Sequence, residues 1–217
     1  KTFFTKEPET LEWIDGFQKE KFIFWDIGAN IGLYSCYAGK KIKCNTFSFE
    51  PSYFNLEILS KNIFINDLSN LIKIIPISLS SEKKISEFNM STTEWGGALS
   101  TFGEKTAFDG SELKSVFNYT TISISLDECV NFFNLPQPDH IKIDVDGIEH
   151  LILSGAEKVL KNVKSVLIEI NENLEDQKKI CEKKLRESGL KLFKKTSLDY
   201  ENLGILKNCY NHIWIRE

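Results

Sequence analysis

Arginine is nearly missing from this chain: Arg186 and Arg216 are the only two among 27 basic residues, against 31 acidic ones, for a net charge of −4. A surface that tracks nucleic-acid phosphates needs clustered basic charge, often with Arg forks, so no nucleic-acid partner is expected. A run of about 18 apolar residues, the length needed to cross a bilayer, is also lacking, and no basic segment followed by an apolar stretch opens the chain. Neither a membrane span nor a secretory leader is therefore expected. Cysteine is sparse and scattered at Cys36, Cys44, Cys129, Cys181 and Cys209, with no C-x-x-C pair near a histidine. That distribution favours reduced thiols in a soluble, cytoplasmic protein over disulfides or zinc. With 12 Gly, 5 Pro and 41% hydrophobic residues in 217, collagen-like, low-complexity and disordered classes are excluded. One domain over residues 1–217 fits this length, since a chain of this size buries about 70% of its unfolded surface around one core. The first residue is Lys1 rather than Met, so an upstream segment, up to a whole domain, is an expectation of the reading.

Short apolar runs at 22–27, 45–49, 71–77, 140–145 and 165–170 read as buried strands. Segments with 3.6-residue periodicity lie between them, at 31–40, 52–65, 126–133, 148–161 and 174–188. Strand alternating with helix implies a doubly wound α/β sheet. The end of the chain breaks the alternation: 190–195 and 211–217 look like strands with no convincing helix between, and suggest an antiparallel pair closing the sheet. Residues 1–20 read as a leading helix with Thr10 as N-cap. The stretch 82–121, with Gly, Ser and Thr between two possible strands at 83–90 and 118–124, is the least regular and is expected to be either a substrate-side insertion or a tolerated surface loop.

The strongest local pattern is FIFWDIGANIG at 22–32, a strand running into D-x-G-x-N-x-G and then a helix. Gly28 and Gly32 permit a tight turn and close approach of a ligand backbone at the strand's carboxyl end. Asp26 can accept hydrogen bonds from a ligand ammonium or position the loop, and the Asn30 amide can do similar work. Glu50, in FSFEPS, follows Gly28 by 22 residues, the spacing at which an acid grips ribose hydroxyls. A pyrophosphate would want G-x-G-x-x-G and would be repelled by Asp26, so the pattern suits the cationic amino-acid end of S-adenosylmethionine better than NAD. Ser78 and Leu79, at the end of the third strand, would lie over the adenine by analogy of position, or simply end the strand.

The segment HIKIDVDGIEHLILSGA places Lys142, Asp144 and Asp146 on one side of a strand, by its period of two, with Glu149 and His150 on the first helical turn after Gly147. Three charges on a central strand are costly without partners, so they point either to a site or to a structural Lys–carboxylate network.

DIGANIG, FEP, SLDECV, IKIDVDGIEHLILSGAEKVL and VLIEI together resemble the FkbM family of S-adenosylmethionine-dependent methyltransferases, over about residues 22–172. The resemblance implies a class I methyltransferase fold, Rossmann-like, with a mostly parallel seven-stranded sheet whose last strand is antiparallel. It also implies methylation of hydroxyls on sugars, glycan precursors or natural-product scaffolds. Carried over by residue, Asp26, Gly28, Asn30 and Gly32 fall on the cofactor loop, Glu50 on the ribose acid, and Lys142, Asp144, Gly147 and Glu149 on the K-x-D-x-E-G-x-E block. Asp146 stands where that block has Glu.

Methyl transfer is an in-line displacement in which the acceptor oxygen must be aligned and deprotonated. The catalytic candidates are Asp144, to position acceptor or cofactor amine, with Lys142, Glu149 and His150; His150 would serve as general base or else point to solvent. His140 and His212 are read as structural. Trp95, beside Gly96 and Gly97, and Asp146 are the substrate candidates; Trp95 could stack on a sugar or plug the loop. A divalent metal on Asp144, Asp146 and Glu169 is the less favoured reading, because Lys142 could neutralise the same cluster. Two rival functions stay open: an NAD-dependent oxidoreductase, and a non-catalytic nucleotide-binding module of a longer polypeptide.

Overall fold

The computed structural model describes residues 3–17, 22–198 and 208–217. Helices α1 (Phe3–Lys6) and α2 (Pro8–Asp15) lead into β1 (Ile23–Ile27), α3 (Leu33–Lys41), β2 (Asn45–Phe49), α4 (Tyr53–Ile65) and β3 (Ile72–Ile75). Four strands follow without a helix: β4 (Ser78–Leu79), β5 (Lys84–Met90), β6 (Thr101–Phe102) and β7 (Phe117–Ile124). Alternation then resumes through α5 (Leu126–Phe133), β8 (His140–Ile143), α6 (Glu149–Ser154), α7 (Glu157–Leu160), β9 (Ser165–Asn171) and α8 (Glu175–Glu187), ending in β10 (Lys191–Ser197) and β11 (Cys209–Ile215).

Seven strands form one sheet in the order β10-β11-β9-β8-β1-β2-β3. Parallel pairing joins β3, β2, β1, β8 and β9, and the last strand, β11, runs antiparallel between β9 and β10. Every residue of β8 is buried, as expected for a parallel strand covered on both faces. Trp25 and Phe49 meet at 5.2 Å across β1 and β2, and with Ile141, Ile143, Val166 and Ile168 they anchor the core. Because β1, β2 and β8 are parallel neighbours, their carboxyl ends deliver Gly28, Glu50 and Asp144 to one edge. That edge is where open α/β sheets bind ligands.

Several expectations change. The leading helix is two helices broken at Glu7, and Pro8 rather than Thr10 marks the start of the second, because proline's fixed φ suits a first helical position. Thr10 is buried inside α2, its hydroxyl donating to Glu7 at 3.4 Å. The third strand stops at Ile75, since Pro76 has no N–H to donate; Ser78 and Leu79 instead pair with Ser123 and Ile124 of β7. Parts of the region 82–121, residues 84–90, 101–102 and 117–121, join β4 in a second sheet, β4-β7-β5-β6, while 91–100 and 103–116 are irregular apart from an isolated bridge between Thr106 and Glu112. The helix expected at 148–161 is divided at Gly155, where an added Cβ would lie 2.8 Å from the carbonyl oxygens of Ser80 and Ser81. Finally, β8 ends at Ile143, so Asp146 lies past the strand rather than on it, at φ 59°.

Candidate active site

The turn after β1 is shaped by backbone crowding. At φ 75°, Gly28 sits so close to the loop after β8 that a Cβ would fall 1.8 Å from the Asp144 carbonyl oxygen. Only glycine allows that approach. The N–H groups of Gly28 and Ala29 both donate to the Phe49 carbonyl, at 3.1 and 3.0 Å, which locks the turn to the end of β2. Asn30 takes a left-handed φ of 50°, aiming its own N–H at Glu50 Oε2, 2.8 Å away.

Glu50 is 5% exposed. Its other oxygen accepts from the Ser52 N–H at 2.8 Å and the Asn55 amide at 3.4 Å. Burial pushes its carboxyl up to about 7, against the pull of these donors. Glu50 lines a cavity together with the apolar side chains of Leu79, Phe88, Phe102 and Ile152 and with Gly28, Asp144 and Asp146. Ser78 also lines it, with a buried Oγ that has no hydrogen-bond partner. A broader cavity of about 1500 Å³ adjoins the first and shares Gly28, Asn30, Ala98, Asp144 and Asp146 with it.

Residues 96–99 lie along this shared wall and are strapped in place from three elements. The Asn30 amide donates to the Gly96 and Gly97 carbonyls at 3.4 and 3.0 Å. The Asn55 amide donates to Gly97 at 3.0 Å and accepts from the Gly96 N–H at 3.0 Å. Asp146 accepts the Leu99 N–H at 2.7 Å. Burial, then the Asp144 charge, pushes the Asp146 carboxyl up to about 7.

Lys142 is 1% exposed and donates to Asp144 Oδ2 at 2.7 Å, beneath the ring of Tyr34 at 5.0 Å. Burial alone would raise Asp144, but the Lys142 ammonium holds it below the ordinary carboxylate range. The same ammonium stays charged despite its burial because Asp144, Asp26 and Glu7 surround it.

Five expected residues stand elsewhere. Asp26 is fully buried under α3, where Ser35 donates to its Oδ2 at 2.5 Å, and it lines neither cavity. Burial raises its pKa. Glu149 turns back on its own loop, accepting the Gly147 N–H with both oxygens and the Val145 N–H at 3.3 Å. It thus fixes the backbone carrying Asp146 without facing either cavity. His150 also faces neither; its Nδ1 is buried without a partner, and burial lowers its pKa. Trp95 is 65% exposed and lies near Lys61, 6.0 Å from ring centroid to Nζ, because the left-handed Gly96 turns the next residues inward instead. Gly32, at φ 82°, packs on Leu59 rather than lining either cavity. His140 is structural, stacked on Phe17 at 3.9 Å and joined to Ser165 at 2.7 Å, and His212 is fully buried. Among the described residues no group of three His, Cys, Asp or Glu side chains is arranged to hold a metal ion.

Asn55, Ser52 and Tyr34 had no place in the sequence reading. Ser52 was within reach, since serine is a preferred residue just before a helix, and its Oγ accepts the Asn55 N–H.

The methyltransferase FkbM domain matches residues 26–201. The chain belongs to the FkbM methyltransferase family. The FkbM match takes in the glycine turn, Glu50, the strap and the whole Lys142–Glu149 block. Among characterised relatives, the hexuronic acid methyltransferase AglP of Haloferax volcanii is 29% identical over 153 residues, 70% of this chain and 57% of its own length. Methyltransferase sdnD of Sordaria araneosa is 39% identical over 57 residues, 26% of this chain and 22% of its own. The chain therefore spans little more than half the length of the first and under a quarter of the second. Solved structures share the fold. A precorrin-6y C5,15-methyltransferase from Geobacter metallireducens superposes with a TM-score of 0.53 at 15% identity, over 97% of this chain and 87% of its own. Pyrococcus horikoshii TYW2 in complex with MeSAdo gives 0.55 at 11%, over 98% and 62%. The FkbM chain is thus a class I, Rossmann-like methyltransferase in fold, as its sheet order and antiparallel last strand require. No described helix is long and apolar enough to cross a membrane.

Proposed function

We propose that residues 1–217 act as one S-adenosylmethionine-dependent domain that methylates a hydroxyl oxygen of a sugar, glycan precursor or natural-product scaffold. The carrying observation is Glu50, a buried carboxylate that lines one cavity with Gly28, Asp144 and an apolar set of side chains. That combination suits a nucleoside with an amino-acid tail. A ribose diol donates to the Glu50 carboxylate, the adenine packs on Leu79, Phe88 and Phe102, and the tail ends at Gly28 and Asp144. The unpartnered Ser78 Oγ supports the fit, because a buried polar atom without a partner costs about 1–3 kcal/mol that a ligand can return. The hexuronic acid methyltransferase likeness supports a saccharide acceptor.

Bound there, S-adenosylmethionine supplies an electrophilic methyl group on a sulfonium. The protein's work is then alignment, water exclusion and proton removal. Lys142 fixes Asp144, and Asp144 holds the ammonium of the tail at the wall between the cavities. The strap at 96–99 covers that wall. Asp146, raised to about 7 and facing both cavities, suits removal of the acceptor proton near neutral pH.

Calorimetric titration of the purified chain with S-adenosylhomocysteine tests the reading. Binding is expected, with NAD giving none. Heat from NAD alone would turn the assignment to an oxidoreductase. Binding of S-adenosylhomocysteine without transfer to any acceptor of a broad sugar panel would favour a non-catalytic module.

A further inference from the structure

Asn55 sits on the first turn of α4, where its own N–H donates to the Ser52 Oγ at 3.4 Å, and it is buried. A side-chain amide offers two N–H groups and one oxygen. Asn55 uses all three. Its Nδ2 donates to Glu50 Oε1 at 3.4 Å and to the Gly97 carbonyl at 3.0 Å, while its Oδ1 accepts the Gly96 N–H at 3.0 Å. A carboxylate at the end of β2 and a stretch of backbone from the far side of β5 are thereby tied to one planar group. Asn30 also reaches both, but with different groups, its N–H on Glu50 and its amide on Gly96 and Gly97.

The strap that Asn55 holds lines both cavities, Gly97 and Ala98 in the one that contains Glu50, and Gly96, Ala98 and Leu99 in the broader one. Its last residue is tied independently, since the Leu99 N–H donates to Asp146 Oδ2 at 2.7 Å. Hydrogen bonds and three residues of backbone therefore connect Glu50 to Asp146 without a break, through Asn55 and the strap. Because the Asn55 amide is planar and fully used, it cannot turn to follow Glu50 without giving up Gly96 or Gly97.

We propose that Asn55 is a positioning residue that transmits occupation of Glu50 to the strap, so that a bound cofactor steadies the wall beside which the acceptor is placed. The proposal rests on the methyltransferase reading above. A ribose diol donating to Glu50 fixes the carboxylate, the fixed carboxylate holds the Asn55 amide, and the amide holds Gly96 and Gly97. Leu99 is then kept against Asp146, the group suited to take the acceptor proton. Linkage makes the effect reciprocal: loosening the strap weakens the cofactor by the factor by which the cofactor steadies the strap.

The test combines calorimetric titration with S-adenosylhomocysteine and amide hydrogen exchange read by NMR, on the unaltered chain, Asn55→Ala and Asn55→Asp. Asn55→Asp keeps the shape of the side chain and an oxygen for the Gly96 N–H, but an ionised carboxylate has no N–H to donate. It is the second variant should Asn55→Ala fail to fold, with the melting transition as the check on each. Leu99 is the reporter, because its N–H is bonded to Asp146 and not to Asn55. Saturating S-adenosylhomocysteine is expected to slow Leu99 exchange at least about fivefold in the unaltered chain and less than about twofold in either variant. Each variant is also expected to bind S-adenosylhomocysteine about tenfold more weakly. An Asn55 that served stability alone would lower the melting temperature and leave the slowing at Leu99 intact. Slowing that persists in a folded variant at saturation overturns the proposal, and so does its absence in the unaltered chain or an unchanged affinity in the variants. Failure of S-adenosylhomocysteine to bind the unaltered chain is a separate result that removes the methyltransferase reading, and the coupling with it.

Discussion

The Asn30 N–H donates to the Glu50 carboxylate across 2.8 Å, joining the turn after β1 to the end of β2. One carboxylate therefore does two jobs: it orders the glycine turn and faces the cavity. Replacing Glu50 by Ala is expected to weaken S-adenosylhomocysteine binding by about 1–3 kcal/mol, the cost of leaving ribose hydroxyls unpaired. Calorimetry reads the affinity, and an unchanged value would remove Glu50 from the cofactor site.

Gly28→Ala tests the crowding at the turn directly. Its Cβ would press on the Asp144 carbonyl, which is backbone and cannot rotate away. A loss of about 1–3 kcal/mol of stability is expected from overpacking, together with loss of cofactor binding. Gly32→Ala provides the contrast, because its neighbour is the flexible end of Leu59. It should cost less in a denaturant melt.

Lys142→Met should destabilise the fold by about 3 kcal/mol, because the Asp144 carboxylate would lose the ammonium that neutralises it. The lower end of the usual range applies, since the Asp144 side chain keeps 28% exposure to water. Urea denaturation measures it.

Stability should depend on pH with a definite sign. Glu50, Asp146 and Glu149 are each raised, chiefly by burial, to about 7. A carboxyl raised on folding contributes stability that is complete below its unfolded value and lost as pH climbs through the folded one. Without cofactor, the melting temperature is therefore expected to fall between about pH 5 and pH 8, and Glu50→Gln should flatten that fall. Asp144 works the other way, since Lys142 lowers it, and its contribution disappears in acid. A melting temperature that rose steadily to pH 8 would contradict the assignment.

Trp95→Ala is expected to change neither stability nor cofactor affinity by more than about 0.5 kcal/mol, the usual range for an exposed site. Thermal melts and calorimetry on the variant check both.

What was legible in the sequence was what local pattern encodes. Gly28 and Glu50 sit on consecutive strand ends of parallel neighbours, so a spacing along the chain becomes proximity in space. The antiparallel last strand was legible because the residues between 190–195 and 211–217 show no helical pattern that could make a parallel crossover. Trp95 failed because the inward turn depends on the sign of φ at Gly96, which glycine leaves undetermined by type. Glu149 and His150 failed through helix phase: one turn of rotation at Gly147 decides which faces the cavity, and neither does. The runs at 83–90 and 118–124 were legible as possible strands and form β5 and β7, but their antiparallel pairing into a second sheet was not, because it is made across the long intervening loop. Asn55 acts only through the folded position of a loop more than 40 residues away, beyond any local signal.

The second sheet also limits how this protein can diversify. It is a single uninterrupted excursion of the chain, the sort of segment that could be exchanged whole between relatives to change what is methylated. Yet Phe88 and Phe102 come from it and line the same cavity as Glu50, while Gly96 and Gly97 hang from Asn30 and Asn55. A transplanted excursion would replace part of that cavity's wall. Under the proposed function, new acceptor preference and retained cofactor affinity would then be inherited together, which makes specificity here a property of matched halves rather than of an interchangeable loop.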